Sequence, residues 1–265
     1  MRFSRRWSRW GSNGGHKVEA TARTPIPFCR PAATADPTDT LIVSDLHLGL
    51  PDSRPRDLLA LLHSRPFGRL ILLGDVFHGP SFRHVGQDGW RLLAHLRELG
   101  ARRKGKVVWL HGNHDRKLGR AIAGLLGIEG RESFHWQQNG RNCVALHGDC
   151  FDEFICTNAR LGQLCSDAYA FCQRCLAPRN RWLSRLDAWH GKFMKLGNEI
   201  AEKAARHAAT RAFDVVVCGH THEPLLRRFD TDGHPVAYAN TGAWIGRPAS
   251  FVSVGPNGIA LDFMP

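Results

Sequence analysis

Five short apolar runs of this chain each end in a cluster of side chains able to bind metal or move protons. Thr40-Leu41-Ile42-Val43 runs into Ser44-Asp45-Leu46-His47, and Arg69-Leu70-Ile71-Leu72-Leu73 into Gly74-Asp75. Val107-Val108-Trp109-Leu110-His111 leads to Gly112-Asn113-His114-Asp115, Asn142-Cys143-Val144-Ala145-Leu146 to His147-Gly148-Asp149, and Val215-Val216-Val217-Cys218 to Gly219-His220-Thr221-His222. Apolar runs of this length bounded by turn residues read as buried strands. Helical patterns at 57–64 and at 90–99, the second closed by Gly100, separate the first three. Strands alternating with helices make an α/β fold, and such folds place their sites outside the carboxyl ends of the strands.

The chemistry of the clusters narrows that site. Asp45 and His47 are two apart, a spacing that puts both on one side of a pleated strand end. Asn113 is a poor acid or base, but its amide oxygen is a fair metal ligand. Gly112 lets the backbone turn sharply there; His114 then faces the substrate, with Asp115 as its orienting partner. Each motif taken singly is weak, since Gly-Asn closes many strands without any function. Together Asp45, His47, Asp75, Asn113, His147, His220 and His222 exceed what one ion needs. They suit two divalent ions about 4 Å apart that share a bridging carboxylate. Asp75, alone after its strand, is the natural bridge. One ion takes Asp45, His47, Asp75 and His222; the other takes Asp75, Asn113, His147 and His220. Each keeps a position open for water. Mixed imidazole and carboxylate ligands favour Mn, Fe or Zn over an all-oxygen Mg site, and Mn is the expectation.

Outside the strand series, residues 1–38 read as a disordered basic tail. It is either a solvated extension or a segment that sets Trp7 and Trp10, with Arg2, Arg5, Arg6 and Arg9, on an anionic bilayer. Residues 39–265 form one domain, and a helical insertion spans about 152–211. Within it Trp182, Leu186, Trp189, Phe193 and Leu196 recur near helical spacing, with Lys192 and Lys195 between them. This is either a helix packed on the main domain or an apolar groove with a basic rim. The net charge of +12 favours an anionic partner. No apolar stretch is long enough for a membrane span. Eight Cys without the density of a disulfide scaffold indicate a reducing, cytoplasmic setting. Cys172-x-x-Cys175 lies in a helical pattern with no second pair beside it.

The order Asp-x-His, Gly-Asp, Gly-Asn-His-Asp, His-Gly-Asp and Gly-His-Thr-His resembles the calcineurin-like metallophosphoesterase superfamily, from Leu41 to about Gly242. That resemblance implies a four-layer α-β-β-α sandwich with two mixed sheets, and the same division of ligands between two ions. The long insertion and the stretch Tyr238-Ala239-Asn240-Thr241-Gly242-Ala243-Trp244 are similar to the UDP-2,3-diacylglucosamine pyrophosphatases. Members of that group cleave their substrate to lipid X and UMP in lipid A synthesis and use the insertion to hold acyl chains. His114 stands where the best-known members carry Arg, and Ala243 where relatives often carry Asp.

The resemblance implies a phosphoester or pyrophosphate hydrolase acting on a phosphorylated small molecule or lipid, at the inner face of the cytoplasmic membrane. Trp189, Phe193, Lys192 and Lys195 are then candidates to meet acyl chains and phosphate. The alternative is a soluble metallophosphoesterase for nucleotides or phosphoproteins. A nuclease fits the charge, but no nucleic-acid module is recognised. A scaffold without metals would lack ligands, and none is missing.

Overall fold

The computed structural model of the protein describes residues 36–79, 82–102, 106–157, 187–246 and 248–264, with the backbone alone for 154–155 and 187–195. Strands β1 (Thr40–Val43), β2 (Arg69–Leu73), β3 (Val107–Leu110) and β4 (Gly130–Arg131) pair in parallel. The antiparallel strands β10 (Ala249–Gly255) and β11 (Gly258–Met264) complete a six-stranded sheet in the order β11-β10-β1-β2-β3-β4. A second sheet runs β5 (Ser133–Gln138), β6 (Arg141–Leu146), β7 (Val215–Cys218), β9 (His234–Asn240), β8 (Leu225–Thr231). Its three central strands are parallel and its two edges antiparallel.

Alternation along the strands builds the layers. Ile42, Ile71, Leu73, Val108 and Leu110 meet Cys143, Ala145, Val215, Val217 and Ala239 between the sheets. The intervening Leu41, Val43, Leu70, Leu72 and Trp109 face helices α1 (Pro55–Ser64), α2 (Gln87–Arg102) and α3 (Gly119–Leu126). Strands buried on both faces read as continuous apolar runs, which is why the pattern was legible. Each fully buried Leu or Val contributes roughly 1.5–3 kcal/mol. Pro55 sits in the first turn of α1, whose Leu58, Leu61 and Leu62 share its buried face.

The far face of the second sheet is covered by α5 (Asp187–Ala209), so the layers run helix, sheet, sheet, helix. Ile200, Ala201, Ala204, Ala205 and Ala208 are fully buried, and the four alanines pack on Val144, Val216 and Tyr238. Short alanines let helix and sheet approach closely. The carboxyl-terminal half of α5 is therefore a core layer, packed on the main domain. Among the described residues the remainder of the expected insertion contributes α4 (Glu153–Thr157) and the start of α5. Trp182 and the Cys172-x-x-Cys175 pair lie outside the described residues, as do the side chains of Trp189, Lys192, Phe193 and Lys195.

One other expectation changes. Gly100 lies inside α2 rather than closing it, because a Cβ there would press on the Ile128 side chain at 3.0 Å. Of the basic tail, residues 36–38 are described, and they form a turn in which Thr38 N–H donates to Asp36 Oδ1 at 2.7 Å. No helix among the described residues is long and apolar enough to cross a membrane.

Candidate metal centre

The strand ends of both sheets meet at one edge of the sandwich. Asp45 N–H donates to the Gly74 carbonyl at 3.1 Å and His47 N–H to the Asp75 carbonyl at 2.9 Å, which locks the first two loops together. Gly219 N–H donates to the His147 carbonyl at 3.0 Å within the second sheet. His220 N–H crosses between sheets to Asp45 Oδ2, also at 3.0 Å.

Asp45, His47, Asp75, His220 and His222 all have left-handed backbones, with φ of 53°, 44°, 51°, 70° and 59°. A non-glycine residue held there costs on the order of 1–3 kcal/mol, and such strain gathers at functional sites. The pleat expected to align Asp45 with His47 is thus absent: β1 stops at Val43, and the two side chains are turned inward by left-handed residues. The convergence stands; its cause is different.

His222 Nε2 lies 3.2 Å from Asp45 Oδ1 and 3.1 Å from His47 Nε2. His47 Nε2 is 3.9 Å from Asp75 Oδ2, and His147 Nε2 approaches the same oxygen at 3.4 Å. Asn113 Oδ1 is buried without a hydrogen-bond partner, and Asp45 Oδ1 and His147 Nε2 are buried against the ion-pair partners His222 and Asp75. Leaving a buried polar atom unpaired costs about 1–3 kcal/mol, and a cation would satisfy Asn113 Oδ1 along with the other two atoms. The donors are imidazole, carboxylate and amide oxygen, a set that suits a divalent transition metal.

Glycines make this crowding feasible. A Cβ at Gly112 would collide with the Asp75 carboxylate, and one at Gly219 with Ser44 Oγ and Asp45 Oδ2. Gly112 is required for close approach; its φ is not in the left-handed region. A Cβ at Gly74 would strike the ring of His147.

A second ring of contacts orients the donors. His147 Nδ1 donates to the Leu73 carbonyl at 2.8 Å, which leaves Nε2 with its lone pair. His114 Nδ1 donates to the His78 carbonyl at 2.7 Å, and its Nε2 is 3.9 Å from Asp75 Oδ2. The orienting partner of His114 is therefore His78, not Asp115. Asp115 is fully buried and instead accepts from Gly112 N–H at 2.9 Å and Val76 N–H at 2.8 Å, tying two ligand loops together. Asp152 accepts from His220 Nε2 at 3.0 Å. Its only sequence signal is a carboxylate five residues beyond His147.

Charge follows contact. Burial opposes ionisation of Asp45, yet the adjacent His222 holds its carboxyl down at about 2. Burial also opposes ionisation of Asp75, and His147 beside it overrides that, holding the carboxyl well below the usual range. Burial by itself would discharge His147, but Asp75 pushes its proton affinity well above that of a free imidazole. The Asp75 and Asp45 carboxylates thus favour positive charge on His147 and His222. For Asp115 burial dominates and, with the Asp75 charge behind it, raises the carboxyl to about 7.

Of the expected ligands, Asp45, His47, Asp75, His147 and His222 come together directly. Asn113 contributes its unpaired oxygen, and the His220 ring lies 5.4 Å from that of His147. Residues 39–224 match the family model described as calcineurin-like phosphoesterase. The chain is 28% identical over 235 residues to UDP-2,3-diacylglucosamine hydrolase from Azotobacter vinelandii, across 77% of this chain and 90% of that protein. It is 25% identical over 253 residues to the Salmonella agona protein of the same name, across 85% and 99%. Among solved structures, the phosphoesterase Yfce from E. coli is similar at 19% identity, covering 82% of this chain and 88% of that one with a TM-score of 0.45. Since the matched segment holds every one of the converging donors, the chain belongs to the calcineurin-like phosphoesterase family, and it is a hydrolase.

Proposed function

We propose that the protein hydrolyses the pyrophosphate of UDP-2,3-diacylglucosamine, or of a closely related lipid-linked nucleotide, giving lipid X and UMP. The observation that carries the reaction class is the buried set of donors on Asp45, Asn113 and His147 around Asp75. Asp45, His47, Asp75 and His222 would hold one divalent ion, and Asp75, Asn113, His147 and His220 the other, with Mn as the metal. Such ions offset phosphoryl charge and supply hydroxide near neutral pH.

The remaining work falls to the chain. Because a carbonyl only accepts, the bond to His78 fixes the hydrogen of His114 on Nδ1. Its Nε2 therefore faces the Asp75 side of the site, either as an acceptor or, in the imidazolium form, as a proton donor to the leaving oxygen. The left-handed backbones hold the donors in place before substrate arrives, so little reorganisation accompanies the reaction.

The substrate assignment is supported by relatives named UDP-2,3-diacylglucosamine hydrolase that align along most of their length. It is supported also by the apolar and basic sequence of the insertion. Acyl chains would lie along Trp189 and Phe193, with Lys192 and Lys195 toward phosphate and sugar. Each buried methylene contributes about 0.8 kcal/mol, so even one partly enclosed chain would dominate affinity. An acyl-binding site would also bring the protein to the inner membrane face where such lipids reside. The test compares kcat/KM for UDP-2,3-diacylglucosamine and UDP-N-acetylglucosamine in Mn. We expect strong preference for the acylated substrate. Equal values would remove the lipid assignment and favour a phosphoesterase for soluble nucleotides or phosphoproteins.

A further inference from the structure

His220 offers two ring nitrogens, and Asp152 occupies one of them. Nε2 lies 3.0 Å from Asp152 Oδ2, with the side chains only 10% and 5% exposed. A carboxylate accepts and does not donate, so Nε2 carries the hydrogen. In the neutral ring Nδ1 is then left with its lone pair. The rest of the residue is pinned too. The His220 N–H is held by Asp45 Oδ2 at 3.0 Å, and its backbone is left-handed with φ of 70°. Asp152 is itself fixed, because its N–H donates to the Asp149 carbonyl at 3.1 Å and its carbonyl accepts the Cys156 N–H at 2.9 Å.

We propose that Asp152 is a positioning residue that commits His220 to bind the second divalent ion through Nδ1, an inference that rests on the two-ion reading above. An imidazole without such a partner divides its population between two tautomers and more than one ring orientation. An ion must then select among them, and its affinity falls by the fraction that is competent. A carboxylate on the distal nitrogen removes that loss and raises ligand basicity. His147 shows the same device with a neutral acceptor, the Leu73 carbonyl at 2.8 Å. The two imidazoles assigned to the second ion are thus prepared in opposite senses. His147 presents Nε2 and His220 presents Nδ1.

The experiment begins with metal-free wild-type protein labelled with nitrogen-15 in histidine. Two-bond proton–nitrogen correlations identify which ring nitrogen of His220 carries hydrogen, with His220→Gln providing the assignment. We expect the Nε2–H form. In Asp152→Ala the signal should become a mixture of tautomers. Titration of Mn, followed through the paramagnetic resonance of the free ion, should then show the second equivalent weakened about 10–100-fold and the first unchanged. Asp152→Asn keeps an oxygen that accepts from Nε2, so it should retain the tautomer and most of the affinity.

An Nδ1–H tautomer in the wild type overturns the proposal. So does equal loss of the second ion in Asp152→Asn and Asp152→Ala, which would make Asp152 a ligand itself. Unchanged second-ion affinity in Asp152→Ala also overturns it. If Asp152→Ala does not fold, the wild-type spectrum and Asp152→Asn decide. Failure of the wild type to bind any Mn would instead overturn the two-ion reading, and with it this proposal, and the first titration alone reveals that case.

Discussion

His147 Nε2 and Asp75 Oδ2 face each other across 3.4 Å in the interior, while the other nitrogen of the same ring is committed to the Leu73 carbonyl. The ring therefore has a fixed orientation and a single free valence, aimed at a carboxylate. Without a metal, a proton shared across that gap is what keeps both groups tolerable in a buried place. On the proposed assignment, the same two atoms would become ligands once metal binds.

Asp75 touches donors assigned to both ions, since His47 lies 3.9 Å and His147 3.4 Å from Oδ2. We predict that Asp75→Ala loses occupancy of both ions. Elemental analysis of protein dialysed against Mn checks this. Retention of one full equivalent would show that Asp75 is not a bridge.

On the reading proposed above, His114 acts on substrate rather than holding metal. His114→Ala should keep its metal content while kcat falls by about 10²–10⁴, the range for loss of a general acid or base. Metal depletion in this variant, measured beside the kinetics, would make it a ligand instead.

Gly112 lies against the Asp75 carboxylate, where any Cβ collides with Asp75 side chain and backbone. Gly112→Ala should therefore destabilise the metal-free fold by about 1–3 kcal/mol, as overpacking does, and displace the bridging ligand. Chemical denaturation together with metal content tests it. An unchanged midpoint would mean that the loops yield freely.

Stability should depend on pH in opposite ways with and without metal. In the metal-free protein the contact with Asp75 raises the proton affinity of His147 well above the usual 6.5, so this contact stabilises below 6.5 and is lost as pH rises through the raised value. The Asp45 carboxyl is depressed from 3.8 to about 2, so its contribution is present above 3.8 and lost as pH falls through about 2. The metal-free protein should thus be most stable in mild acid. Metal requires deprotonated imidazoles, so Mn should reverse the alkaline limb and stabilise increasingly above neutrality. Thermal melts across pH with and without Mn measure both limbs, and parallel profiles would refute the exchange of proton for ion.

The strand series was legible because parallel strands buried on both faces leave unbroken apolar runs, and the polar cluster after each run marks where the strand stops. The donors were legible for the same reason. What turns them inward was not, since left-handed residues such as Asp45 and His47 carry no propensity signal; hydrogen bonds from their N–H groups to the Gly74 and Asp75 carbonyls fix them. Helix α5 was legible as a helix, but alanines score weakly as core, so the buried stripe of Ala201, Ala204, Ala205 and Ala208 gave little signal of which face packs on the sheet. Partners through backbone carbonyls, such as His78 for His114, leave no trace in side-chain identity. Asp152 was hidden because its partner lies 68 positions away.

Asp45, His47, Asp75 and Asn113 follow strands of one sheet, whereas His147, His220 and His222 follow strands of the other. Neither sheet alone carries the full set of donors proposed for either ion, and the sheets meet through Ile42, Ile71, Leu73, Cys143, Ala145 and Val217. On that assignment, tight uptake of metal would be an assembly gauge. A chain whose two halves have each formed but not yet closed on one another would have no place to put the ions, so the gain in affinity would mark the moment of closure during folding.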